Sequence, residues 1–325
     1  MLELRRADAG RSLMSRLSPK VALLMTLPPL LWAGNAVVGR ALVGQVPPLT
    51  LNGLRWTIAF ALLLPLGWRV LRAPGALAAR GPHLLLLGTL GVGMYNAFQY
   101  LALVSSTPIN VTLIAASMPA WMLAIGALLY GVHPQRRQLA GAALSLAGVA
   151  LVIARGDPAA LARVQFVVGD FYILVAVVAW AFYSWMLARP PAHLRGDASP
   201  RLCDGGTERP WDWSETLLVQ VLFGLVFALG AAGLEQAAGA APIHWSPAVF
   251  AALAYVAIGP ALIAYRCWGL GVQRAGPAMA ALFGNLTPIF AALLSAALLG
   301  EWPQWFHGVA FVLIGAGIVV STPRG

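Results

Sequence analysis

Two stretches, "TPINVTLIAASMPAWMLAIGALLYGVHPQ" (residues 107–135) and "GPAMAALFGNLTPIFAALLSAALLGEWPQ" (residues 276–304), carry the same punctuation. At a constant offset of 169 residues, Pro108 falls on Pro277, Pro119 on Pro288, Gly131 on Gly300, and Pro134 with Gln135 on Pro303 with Gln304. A two-residue deletion then brings Gly141 onto Gly308 and Gly148 onto Gly315. Proline restricts the backbone and glycine allows conformations closed to other residues, so agreement of both in one register reads as an internal duplication. Trp32-Ala33 and Trp180-Ala181 are a weaker echo of it.

The duplicated material is apolar. Of 325 residues, 60% are hydrophobic and 10% charged, with a mean hydropathy of +0.78, whereas a soluble domain is about 25% charged. This is the composition of an all-α integral membrane protein. A helix needs roughly 20 apolar residues to cross the hydrocarbon. Ten runs of that kind lie near 21–44, 48–71, 83–103, 109–131, 138–155, 168–188, 215–234, 247–270, 277–299 and 303–322. They divide into two five-helix repeats, 21–155 and 168–322, after a basic cytoplasmic segment 1–20. The apolar run after that segment is longer than a signal-peptide core and lacks a small-residue cleavage pattern, so removal of a leader is not expected.

Five helices per copy is an odd number, so the second copy enters the membrane inverted. Inverted repeats can rock about an axis in the membrane plane and expose a shared cavity to alternate sides. The formal net charge of +10 is carried by arginines between the apolar runs, which is a signature of topology and not of a nucleic-acid partner. With the N-terminus inside, the cytoplasmic segments collect Arg69, Arg72, Arg80, Arg136, Arg137 and Arg274, and both termini are cytoplasmic. The expected location is the plasma (inner) membrane, multi-pass. The connection 189–214 is rich in Pro, Gly and charge and reads as a flexible cytoplasmic loop, with partner docking as the alternative. Cys203 and Cys267 are too few for a disulfide framework and lack metal-ligand spacing, so neither a metal nor a cofactor is implied.

Pro119 and Pro288 fall near the middles of the fourth and ninth runs. Each would free the carbonyl four residues earlier, at Ala115 and Gly284, and such carbonyls must face protein, water or a ligand. Polar and aromatic residues form stripes: Trp32, Asn35 and Gly39; Tyr95, Asn96 and Gln99; Trp180, Tyr183 and Ser184; Tyr255 and Tyr265. Asn110, Ser117 and Asn285 join them on the fourth and ninth helices. Each amide or hydroxyl has interhelical hydrogen bonding as its bland alternative. Asn52 and Arg55 share a face of the second helix with Trp56, and Arg55 lies roughly 9 Å inside the boundary. A structural or gating role is expected there, ahead of substrate contact. No Asp or Glu falls deep in a run, and no nucleophile with a base is visible, so an enzyme is not expected.

The stretches "LLWAGNAVVGRAL" (30–42), "PPLTLNGLRW" (47–56), "GD" (169–170) and "AMAALFGNLTPIFAALLSAALLGEWP" (278–303) resemble the drug/metabolite transporter superfamily, and within it the EamA-type ten-helix permeases. The likeness spans essentially the whole chain. One departure is Glu301, which has no counterpart in "LLYGVHP" of the first copy. The resemblance implies that helices one, three, four, six, eight and nine surround a substrate path. The candidate binding residues are then Trp32, Asn35, Tyr95, Asn96, Gln99, Asn110, Ser117, Trp180, Tyr183, Tyr265 and Asn285, with Asn52, Arg55, Pro119 and Pro288 as gating or structural elements. The expected function is export of a small organic metabolite, such as an amino acid, by alternating access. Carriage of a nucleotide sugar or sugar phosphate, a channel, and a non-transporting membrane scaffold are the alternatives.

The charge asymmetry predicts that an impermeant maleimide added outside intact cells leaves Cys203 unlabelled and labels it once the membrane is permeabilised. Labelling in intact cells would overturn the topology.

Overall fold

The computed structural model describes residues 18–42, 44–105, 114–157, 159–163, 167–196, 201–204, 207–299 and 304–322. Helix α1 is Pro19–Ala41 and α2 is Pro48–Gly67, continued by a tighter turn through Arg72. Helices α3 (Pro74–Leu87) and α4 (Tyr95–Ser105) are joined by a wide π-helical stretch, Gly88–Met94. Then follow α5 (Met118–Tyr130), α6 (Arg136–Ile153), the single turn α7 (Ala159–Ala162) and α8 (Val168–Ala188). A two-stranded hairpin of β1 (Leu202–Asp204) and β2 (Thr207–Arg209) precedes α9 (Trp213–Ala237). Helices α10 (Pro247–Val256) and α11 (Ala264–Ala275) are joined by a second π stretch, Ala257–Ile263. The chain ends in α12 (Pro277–Gly284), α13 (Thr287–Leu299) and α14 (Trp305–Ser321).

Each of the ten apolar runs contains helix, but among the described residues only seven helical segments are long and apolar enough to cross a membrane unaided. They are Pro19–Gly39, Pro48–Arg72, Pro74–Ala102, Val168–Ala188, Trp213–Ala237, Pro247–Ala275 and Pro277–Leu294. Helices α5 and α14 are apolar but shorter, and α6 opens on Arg136 and Arg137.

The chain folds as two compact units, and neither coincides with a half of the sequence. One is made of residues 38–106 and 167–262, the other of residues 1–37, 107–166 and 263–325.

In the first unit α2 packs along α9, held close by glycine. A Cβ on Gly53 would lie 3.2 Å from the Ala232 Cβ, and one on Gly67 would lie 3.1 Å from the Ser214 carbonyl oxygen. Pro47 precedes α2 and supplies no side-chain cap. The free amides of that first turn donate instead to the neighbouring helix: Leu49 N to Glu235 Oε1 (2.9 Å) and Thr50 N to Glu235 Oε2 (2.7 Å). A carboxylate there also opposes the positive end of the helix dipole.

The π stretch Gly88–Met94 packs against α9 through Gly88 and Gly224. A Cβ on Gly88 would stand 2.3 Å from the Gln220 carbonyl oxygen, and one on Gly224 would stand 2.6 Å from that of Gly88. Such contact is available only to residues without a side chain.

Part of the 189–214 connection is ordered, where composition alone indicates a flexible loop. Trp211 is buried with the Arg80 guanidinium 4.5 Å from its ring centroid. Arg209 grips Glu215 through both Nη atoms (2.9 and 2.6 Å). Asp212 caps α9, its Oδ1 accepting from Glu215 N (2.9 Å) and Ser214 Oγ (2.6 Å). Partial burial works to raise the pKa of Asp212, but those hydrogen bonds and the charge of Arg209 outweigh it and hold the carboxyl below its ordinary range. A buried indole and reciprocal capping give this segment contacts that its overall polarity conceals.

In the second unit the principal packing is α6 against α14, again backbone to backbone. A Cβ on Gly141 would fall 1.8 Å from Ser321 Oγ and 2.4 Å from the Gly317 carbonyl oxygen. Both helices begin alike: Gln135 N donates to Gln138 Oε1 (2.9 Å) and Gln304 N to His307 Nδ1 (2.8 Å).

Pro119 and Pro288 sit differently from the sequence expectation. Neither kinks a continuous helix. Each is the second residue of a new helix, α5 or α13, after a short turn. The first turn lacks intrahelical acceptors for its amides, so a missing N–H costs nothing there. The Gly284 carbonyl, expected to be free, accepts from Thr287 Oγ1 at 2.7 Å.

Gly88→Ala is expected to lower stability by about 1–3 kcal/mol, because a backbone carbonyl must yield to the new methyl group. Gly75→Ala, with no atom within 4 Å of the added Cβ, is the control, expected to leave the melting temperature unchanged or raised. Thermal unfolding of both variants in one detergent checks the pair.

Candidate functional site

Two sets of polar and aromatic side chains lie inside the helices, one in each unit. In the unit of residues 38–106 and 167–262, the chain leaves the π stretch at Tyr95. The change in helical winding there places Tyr95 against Trp180 of α8, with centroids 4.8 Å apart, and Trp180 against Tyr183 at 4.9 Å. The Tyr183 ring lies over Gly91, where a Cβ would come within 2.7 Å of it. Its hydroxyl donates to Gln220 Oε1 of α9 at 3.4 Å. Three glycines in "GTLGVGM" therefore let α8 and α9 close around one π segment, and Tyr95, Asn96, Trp180 and Tyr183 form one constellation.

Arg55 belongs to the same unit. It is 1% exposed, its Nη1 donates to Asn96 Oδ1 at 3.2 Å, and its guanidinium carbon stands 5.1 Å from the Trp56 ring centroid. A charged arginine at the centre of a membrane helix costs about 2.5–3.5 kcal/mol or more, and a cation–π contact recovers part of that. Asn52, one turn earlier and 1% exposed, has no partner for Oδ1 or Nδ2 among the described residues, and neither do Arg55 Nε and Asn96 Nδ2. Gln99 is partly buried on the same helix.

In the other unit Trp32 of α1 meets Trp268 of α11 with centroids 5.3 Å apart, and Gly284 lies beside the Trp268 ring. Tyr265 is buried one turn before Trp268. Ser117 accepts from Trp121 Nε1 (3.1 Å) and donates to the Ile114 carbonyl (2.5 Å). Asn285, in the break between α12 and α13, donates through Nδ2 to Ser145 Oγ of α6 at 2.9 Å. Asn35 is partly buried, and its Oδ1 has no partner among the described residues. Pro119 borders a cavity of about 10 Å³, with Leu123, Gln138, Met279 and Ser321 also on its wall, at the lower limit for one water. Asn110 and Glu301 lie outside the described residues.

Gln220 and Ser145 are the members that the sequence reading passes over. Their signal was present, since each is a neutral polar residue inside an otherwise apolar run. The acidic residues of the described helices sit in their end turns: Asp170 accepts from Val167 N (2.8 Å) at the start of α8, Glu215 holds Arg209, and Glu235 caps α2. Among the described residues, the two sets offer stacking surface, amide and hydroxyl groups and the guanidinium of Arg55. Such groups bind and orient a small molecule and supply no nucleophile with a base.

These features belong to a multi-pass membrane protein that handles small molecules. The chain is a member of the EamA-like transporter family, whose profile matches residues 19–154 and 207–322. Its members are inner-membrane transporters, not enzymes. It is 28% identical to the aromatic amino acid exporter YddG of Ancylobacter novellus, over 90% of this chain and 93% of that one. It is 26% identical to a probable amino-acid metabolite efflux pump of Salmonella typhimurium, over 95% of each chain. An uncharacterized transporter of Archaeoglobus fulgidus is also 26% identical, over 95% of this chain and 99% of its own. A protein crystal structure shares the fold with a TM-score of 0.69 at 23% identity, covering 95% and 97% of the two chains.

The Asn285–Ser145 bond makes a separable prediction. If it serves only to join α6 to the helix break, Asn285→Ala and Ser145→Ala each lower stability by about 0.6 kcal/mol, and the double variant by no more than either alone. Melting temperatures of the three variants, with substrate affinity measured alongside, check it. A loss of affinity confined to Asn285→Ala would assign that amide to the ligand.

Proposed function

We propose that this protein exports a small amphipathic metabolite, an amino acid or a close relative, by alternating access between two inverted five-helix repeats, 21–155 and 168–322. The observation that carries this reading is the interior itself: the series Tyr95, Trp180 and Tyr183, followed by Gln220, gives a ligand an apolar wall ending in polar groups. An aromatic or aliphatic amino acid has that character. The names of two relatives, an aromatic amino acid exporter and a probable amino-acid metabolite efflux pump, point to the same class.

The repeat is supported by local structure recurring at the sequence offset. The π stretches Gly88–Met94 and Ala257–Ile263, the starts of α5 and α13, and the starts of α6 and α14 are all separated by 169 residues. Helices interrupted at matching places in two halves are the usual setting of a transporter's binding site. In this scheme both termini are cytoplasmic. The candidate binding residues are Tyr95, Asn96, Gln99, Trp180 and Tyr183 in one unit and Trp32, Asn35, Asn110, Ser117, Tyr265 and Asn285 in the other, with Pro119 and Pro288 as gating or structural elements.

The test is counterflow in proteoliposomes containing the full chain. Internal unlabelled amino acids should drive saturable accumulation of external labelled phenylalanine or leucine, and Tyr183→Ala should reduce it by tenfold or more with the protein still folded. Non-saturating flux would indicate a channel. Counterflow with nucleotide sugars but not with amino acids would move the substrate class.

A further inference from the structure

Arg55 is a buried cation without a counter-ion among the described residues. It is the eighth residue of α2, about 10 Å along the axis from the helix start, and it is 1% exposed. Asn96 Oδ1 and the Trp56 ring are its contacts, and Nε has no hydrogen-bond partner among the described residues. Acidic side chains of the same unit are engaged at helix ends: Glu235 with the amides of Leu49 and Thr50, Glu215 with Arg209, Asp212 with Ser214, and Asp170 with the amide of Val167. Removing an arginine from water without a carboxylate leaves its charge uncompensated, and one amide oxygen does not neutralise it.

The groups around this charge are spare donors. Asn52, one turn away on the same helix face, and Asn96, bonded to Arg55, each keep an amide nitrogen without a partner among the described residues, and both residues are at least nine-tenths buried. A guanidinium forks onto a planar oxyanion with two parallel bonds, and neighbouring amide nitrogens extend that pattern. A neutral ligand would use the amides and leave the charge unmet.

We propose that Arg55, Asn52 and Asn96 form the binding site for the carboxylate of the transported substrate. This inference rests on the carrier reading above and adds to it the group that is recognised. Tyr95 adjoins Asn96 in the chain and starts the aromatic series, so the remainder of the ligand lies along Tyr95 and Trp180. One guanidinium matches the single charge of a carboxylate.

The experiment uses the full-length protein in lipid nanodiscs, with melting temperature followed against increasing phenylacetate, phenylacetamide, phenylalanine or inorganic phosphate at constant ionic strength. Phenylacetate and phenylalanine are expected to stabilise at concentrations at least tenfold lower than the uncharged amide. Arg55→Gln should abolish that preference, while Arg55→Lys should retain it with several-fold weaker binding. The empty Arg55→Gln protein should melt no lower than wild type, because a buried uncompensated charge has been removed. Absence of any carboxylate preference in the wild type, its survival in Arg55→Gln, or stronger stabilisation by phosphate would overturn the proposal. If Arg55→Gln does not fold, Asn52→Ala and Asn96→Ala decide, since unchanged carboxylate binding in both also overturns it. Counterflow on the same preparation keeps the two readings apart. Amino-acid exchange without a carboxylate preference sinks the anchor alone, whereas a carboxylate preference without amino-acid exchange sinks the amino-acid reading alone.

Discussion

Helices in lipid gain little by hiding apolar side chains from one another, because the surrounding chains are equally apolar, so close packing and polar contacts must hold them together. In this protein backbone approach at glycine meets that demand. Gly141 with Gly317, and Gly88 with Gly224, bring helix backbones together where any Cβ would collide with a carbonyl or a neighbouring side chain. The pairings α2 with α9 and α6 with α14 follow from such seams, and the polar groups of the interior are positioned by them. Tyr183 is the clearest case, since its ring occupies the space that Gly91 leaves open.

The second demand is that every peptide group in hydrocarbon find a partner, which accounts for how the irregular segments are built. Where the helix breaks before α13, Thr287 returns its hydroxyl to the Gly284 carbonyl. Where α2 starts after two prolines without a cap of its own, Glu235 arrives from α9 to receive its amides. At both places a side chain repairs the irregular backbone.

Much of this was legible in the sequence because proline, glycine and apolar run length report directly on the backbone. The matched prolines located both helix breaks, although only the structure puts each proline at the start of a helix. A mid-run proline reads equally as a kink and as an N-terminal turn. The π stretches were not legible: "GTLGVGM" and "AIGPALI" share no residue pattern that separates a wide turn from an ordinary one. The hairpin before α9 escaped because averaged polarity hides a single buried indole, Trp211. Within the site, Arg55 stood out as a charge in an apolar run, whereas its link to Asn96, 41 residues on, depends on how α2 and α4 pack. Asn285 was equally visible as an interior amide, but only the structure gives it Ser145 as a partner.

The packed helices α2 and α9 also differ in what they bury. Counted from the first residues of α2 and α9, Arg55 and Gln220 are both eighth, and both are buried. One helix therefore buries a cation and the other an amide at the same distance from its start. Gln220 is served by a neutral partner, the Tyr183 hydroxyl, while Arg55 has an amide oxygen and an indole face and still retains an unpartnered donor. A permanent carboxylate partner would silence Arg55, and a bare arginine would hold any anion too firmly to release it. On the carboxylate proposal, Asn96 and Trp56 lie between these extremes: they hold the empty guanidinium by contacts weaker than an ion pair, so an arriving carboxylate gains by pairing with Arg55 beside Asn96, and a departing one leaves Arg55 with partners to return to.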